Sequence, residues 1–135
     1  MERELKLGLV DPGGLNALLA LLPTPTKVIE QRNHYFIDEA GRLKETRTMV
    51  RVRVSRRLDI DEAPQVILTT KRRLEAKEGY FIAQEAECAL ASSDWKLVQE
   101  GRSDLLDLHP EPLASCNLTS PLICHGIMRN VRHVV

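Results

Sequence analysis

The sequence predicts an α+β domain built on an antiparallel sheet, with short helices packed outside it. Three observations predict this. Strand-length segments alternate apolar and charged side chains with a period of two, most strictly in TMVRVRVS. Those segments follow one another across short Gly-, Pro- and Asp-containing turns, whereas parallel strands need crossovers of about a dozen residues or more. The helical stretches between them are few and short. A chain of 135 residues can bury one core but not two, so residues 1–135 form a single domain.

Taken in order, ERELKLGL reads as a strand with Glu2, Glu4 and Lys6 on one face and Leu5, Leu7 and Leu9 on the other. Asp11-Pro12-Gly13-Gly14 ends it, and residues 15–22 form a short apolar helix stopped by Pro23 and Pro25. KVIEQRNHYFI, residues 27–37, is rich in β-branched and aromatic residues and reads as a strand, followed by a turn over residues 38–41. In the next strand Val50, Val52 and Val54 face one way, and Met49, Arg51, Arg53 and Ser55 the other. An acidic loop over residues 59–64 leads to QVILTTKRR, where Ile67, Thr69, Lys71 and Arg73 share a face. After Gly79, YFIAQEAECAL sets Glu85 and Glu87 beside Phe81 and Ala83, with Ile82 and Leu90 opposite. Ser92-Ser93-Asp94 is a helix-cap signature, residues 103–118 are helical or irregular, and LICHGIMRNVRHVV is the last strand. About six strands result.

Composition narrows the function. The hydrophobic fraction is 43%, and no apolar run approaches the roughly 18 residues that span a membrane. The opening MERELKLGL lacks the basic and apolar regions of a secretory signal, so a cytoplasmic location and no membrane partner are expected. Nineteen basic and nineteen acidic residues cancel, which removes the global-charge argument for nucleic-acid binding. Cys88, Cys116 and Cys124 form no CxxC pair and read as small buried thiols. His34, His109, His125 and His133 lack metal-ligand spacing.

Charge is nevertheless segregated by strand: Glu2/Glu4/Lys6, Arg51/Arg53, Lys71/Arg73 and Glu85/Glu87 each occupy one face. A sheet with one solvated face accounts for such a pattern and is the commonest antiparallel arrangement. Two features favour a polyanion site instead. Like charges at i, i+2 gain nothing from solvation, whereas a polyanion needs several fixed cations that converge. Two Glu-x-Glu pairs supply the oxygen donors that Mg²⁺ or Mn²⁺ prefers. A triphosphate requires both sets, bases for its oxygens and a carboxylate-held metal to neutralise developing charge.

These residues resemble the CYTH family, the triphosphate tunnel metalloenzymes. Glu2-Arg3-Glu4-Leu5-Lys6 has the form of that family's ExExK signature. NHYFIDEAGRLKETRTMVRVRV resembles its aromatic strand, turn and arginine-bearing strand, LTTK its Leu-Thr-x-Lys, QEAE its later Glu-x-Glu, and NVRHVV the strand whose arginine lines the tunnel. The resemblance implies an eight-stranded antiparallel tunnel that hydrolyses a triphosphate, inorganic tripolyphosphate or thiamine triphosphate, with Mg²⁺ or Mn²⁺. By that resemblance Glu2, Glu4 and Lys6 are catalytic, and Glu2, Glu4, Glu85 and Glu87 hold metal. Lys6, Arg51, Arg53, Lys71, Arg73 and Arg132 bind substrate, whereas regular alternation turns Arg129 to the face opposite Arg132. An adenylyl cyclase of the same family and a non-catalytic polyphosphate- or nucleotide-binding module are the alternatives. Base recognition by a cyclase finds little support, since Tyr35, Phe36, Tyr80, Phe81 and Trp95 all have core roles open to them.

The sequence departs from the family in two places. Ala83 and Gln84 stand where members often carry a base. The chain also stops at Val135, before the family's last strands, so the tunnel it forms alone is expected to be incomplete. Exposed strand edges then favour a homodimer.

Overall fold

A computed structural model describes residues 27–75 and 81–134. The expected strand carrying Glu2, Glu4 and Lys6, the helix over residues 15–22, Gly79 and Tyr80 lie outside the described residues.

Five strands form one antiparallel sheet: β1 (Lys27–Asp38), β2 (Thr48–Arg57), β3 (Gln65–Glu75), β4 (Phe81–Leu90) and β5 (Leu122–Val134). Their spatial order is β4-β3-β2-β1-β5. The first four are a meander, as short connections dictate, and the last strand returns along the free edge of β1. The tunnel implied by the family resemblance is not closed here: among the described residues the sheet is open, with β4 and β5 at its edges.

The β1–β2 connection is a turn and one short helix, α1 (Arg42–Glu45). Gly41 enters it at φ 77°, a left-handed conformation that a side chain would resist. The Asp38 carboxylate accepts hydrogen bonds from the Arg42 and Leu43 backbone N–H groups, both at 2.9 Å. This satisfies donors that a helix start leaves without partners.

The even-numbered residues of β1–β4 lie on the helix side of the sheet, and those near its middle form the core. Val50, Val52 and Leu68 are all but inaccessible, and they pack with Phe36, Val66, Trp95, Leu105, Leu113 and Leu122. The other half of this core comes from α2 (Ser92–Gln99), a 3₁₀ turn (Leu105–Leu108) and α3 (Glu111–Ala114). The stretch over residues 103–118, expected to be helical or irregular, therefore resolves into two single turns. Asp104 anchors the first of them: its carboxylate accepts from Leu106 N at 2.9 Å and from Leu122 N at 3.0 Å, tying the 3₁₀ turn to the start of β5.

Three sequence expectations are corrected. The N-cap of α2 is Ala91, with no side-chain cap, so Ser92-Ser93-Asp94 lies inside the first turn, where Asp94 favours the helix dipole instead. The thiols are less sheltered than expected, Cys88 and Cys116 being half-buried and Cys124 exposed. Of the aromatic residues given core roles, Phe36 and Trp95 are buried while Tyr35 is only half-buried, because it projects from the other face of β1. No helix among the described residues is long and apolar enough to cross a membrane.

Candidate functional site

Alternation leaves the odd-numbered residues of β1–β4 on the face away from the helices, and register decides which of them meet. Arg51 stands between Tyr35 of β1 and Thr69 of β3, and Thr69 stands beside Glu87 of β4. The next row along runs Met49, Lys71, Glu85. The row on the other side runs Met128, Asn33, Arg53, Ile67. Neighbouring strands lie about 4.8 Å apart and neighbouring rows about 6.6 Å apart. Arg51, Arg53, Lys71, Glu85 and Glu87 thus share a patch that one extended polyanion can cover.

The remaining predicted bases flank this patch. Arg73 lies one row beyond Lys71, opposite Ala83. Arg132 pairs with Ile29, so it lies on the same face but about 13 Å along β1 from the Arg53 row. A register shift between Tyr35 and Phe36 precedes this part of β5: Gly126 faces Tyr35 and Cys124 faces Phe36, which leaves His125 as the extra residue of a bulge. Arg129 pairs with Arg32 and falls on the helix-side face, opposite to Arg132, as alternation requires.

Several residues of this face carried no role in the sequence reading. Asn33 is 1% exposed, and its side-chain oxygen accepts a 2.7 Å hydrogen bond from Arg53 Nε. That bond fixes the orientation of the guanidinium. Gln31 and Thr69 are also buried polar residues of this face. The signal was present in Gln31, Asn33 and Tyr35, three polar residues at i, i+2, i+4 on a strand whose other face packs on the core. Arg51 Nε and Thr69 Oγ1 are buried and lack a hydrogen-bond partner among the described residues, a costly condition for a polar group.

The donor chemistry for a divalent cation is half visible. Glu85 and Glu87 are exposed and project from one face of β4, and neither engages a described basic residue in an ion pair. Two unengaged carboxylates at i, i+2 are hard oxygen donors that fit Mg²⁺ or Mn²⁺. Among the described residues no group of three or more potential ligands assembles. Glu2 and Glu4, the other expected ligands, and Lys6 lie outside the described residues.

This architecture defines a class: an antiparallel sheet with one face closed by short helices and the other carrying rows of arginine, lysine and glutamate. The model of the CYTH domain matches residues 1–119, and the chain belongs to that family. A solved structure from Hippeastrum, of an adenylyl cyclase candidate described as having a dominant triphosphatase activity, is similar at 25% identity and a TM-score of 0.67. The similarity covers 97% of this chain and 65% of that one, so this chain spans less than two thirds of the relative's length. A candidate adenylate cyclase from Bacillus halodurans shares the fold at 21% identity and a TM-score of 0.54, over 95% of this chain and 62% of its own. No curated protein matches the sequence significantly.

Proposed function

We propose that the chain binds a triphosphate on the charged face of its sheet and hydrolyses it with the help of Mg²⁺ or Mn²⁺. The observation that carries this reading is the placement of Arg51, Arg53 and Lys71 in adjoining rows with Glu85 and Glu87 on the neighbouring strand. Family membership and the triphosphatase activity described for the Hippeastrum relative support it.

In this reading Arg51 and Arg53 take phosphate oxygens with their planar forks, Arg53 already oriented by Asn33. Lys71 adds a point charge one row on, and Lys6, Arg73 and Arg132 extend the clamp. Glu85 and Glu87, with Glu2 and Glu4, would hold the cation. The cation, when bound, supplies charge neutralisation at the transferring phosphoryl group and polarises it toward attack by water. The arginines stabilise charge developing on the departing phosphate, which is the dominant protein contribution to phosphoryl transfer.

The test is product analysis with tripolyphosphate, thiamine triphosphate and ATP, each with Mg²⁺ and with Mn²⁺, for the intact chain and for Glu4→Gln and Lys71→Ala. Release of orthophosphate that falls at least about 100-fold in both variants supports the reading and ranks the substrates. Cyclic AMP with pyrophosphate as the main products from ATP would replace it with a cyclase. A folded chain that releases nothing, yet binds tripolyphosphate equally well with chelator present, would be a binding module.

A further inference from the structure

The opposite face of the sheet holds a second concentration of positive charge that the hydrolytic reading does not use. Glu30 of β1 is 7% exposed and is surrounded by arginines from three adjacent strands: Arg32 on β1, Arg56 on β2 and Arg129 on β5. Arg129 alone suffices to neutralise it. Its Nε and Nη2 both reach Oε2, at 2.8 and 2.7 Å. Arg32 Nε and Arg56 Nη2 stand back from Oε1, at 3.4 and 3.6 Å, beyond the 2.7–2.9 Å or so of a charge-assisted hydrogen bond.

Two guanidinium groups are therefore gathered and left without a close partner of their own at this carboxylate. Glu30 balances only one of the three arginine charges. Arg32 and Arg129 are directly opposite one another across the β1–β5 ladder, where like charges repel. The cluster sums to two positive charges, and the arginine side chains are 55%, 55% and 57% exposed, so their outer donors are open to solvent. Glu30 serves as a buried post that draws three forks from different strands into one place.

The geometry points to an accessory anion site here, in which Arg32, Arg56 and Arg129 bind a small phosphate anion of two or more negative charges, such as pyrophosphate. A phosphate group offers several acceptor oxygens around one centre and matches the planar forks. Arg129 remains on Glu30, while Arg32 and Arg56 turn their free donors to the ligand. The site lies across the sheet from Arg51 and Arg53, and it does not depend on the proposed hydrolysis.

Calorimetric titration with inorganic pyrophosphate, without divalent metal and at low ionic strength, tests this in an Arg51→Ala/Arg53→Ala background that weakens the opposite face. The background protein is expected to bind, and adding Arg32→Ala and Arg56→Ala is expected to weaken binding about tenfold or more. Arg32→Lys/Arg56→Lys should recover only part of the affinity. Thermal unfolding of each variant establishes that it is folded. Pyrophosphate affinity that is unchanged by the alanine pair, or no binding by the folded background protein, would overturn the assignment.

Discussion

Arg51 is the residue at which stability and the proposed phosphate binding make opposite demands. Its Nε is buried without an acceptor among the described residues, next to Thr69, whose hydroxyl is in the same condition. An uncompensated buried donor costs about 1–3 kcal/mol. Arg51→Met keeps the length and removes both charge and donor. It is expected to leave stability unchanged or to raise it by about 1 kcal/mol in urea unfolding, while lowering triphosphate hydrolysis at least about 100-fold. A variant that loses stability and keeps activity would show the residue to be structural.

His34 illustrates the same scale on the core side. It is buried on β1, with its ring edge-on to Trp95 at a centroid distance of 4.9 Å. Burial, and then the Arg32 guanidinium, push its pKa below the ordinary 6.5. Between that value and the lower native one, the unfolded chain binds a proton that the folded chain does not. Stability therefore rises with pH through this window and is lost as pH falls below about 6.5. Urea midpoints at pH 7.5 and 5.5 should separate further for the native protein than for His34→Gln. Equal separations would remove His34 from the pH response.

At the scale of elements, the two sides of each strand answer to different demands. Leu68 of β3 is fully buried beneath α2 and α3, and Leu68→Ala should cost about 2–5 kcal/mol by the cavity it leaves. Ile82 of β4, on the same side of the sheet, is 60% exposed, and Ile82→Thr should change stability by less than about 0.5 kcal/mol. Chemical denaturation of both variants checks the contrast. The strands were legible because a period of two is forced by the pleat, and Val50, Val52, Arg51 and Arg53 obey it without interruption. The start of α2 was misplaced because Ser92, Ser93 and Asp94 all favour helix starts. Propensity cannot choose among adjacent candidates, and the chain's approach from β4 assigns the cap to Ala91.

At the scale of the whole molecule, the sequence reading placed Arg51, Arg53, Lys71, Arg73, Arg132, Glu85 and Glu87 on charge-bearing strand faces, and in the structure those faces are one and the same. What it could not supply was register. Pairing determines that Thr69 separates Arg51 from Glu87, that Asn33 holds Arg53, and that Arg132 stands apart from the central rows. None of these follows from alternation, because register depends on turn geometry and on a bulge in β5. The Arg32, Arg56 and Arg129 cluster depends on register in the same way, since its members come from three strands, β1, β2 and β5.

The central claim is that the bases and carboxylates of the charged face act together through a divalent cation. The most direct measurement is tripolyphosphate hydrolysis by the intact chain and by Glu87→Gln, with Mg²⁺ titrated from chelator-treated protein. The account predicts no hydrolysis without metal, saturable hydrolysis with it, and at least about a tenfold higher metal requirement in Glu87→Gln. Hydrolysis that persists in chelator, or a metal dependence that Glu87→Gln leaves unchanged, would contradict it.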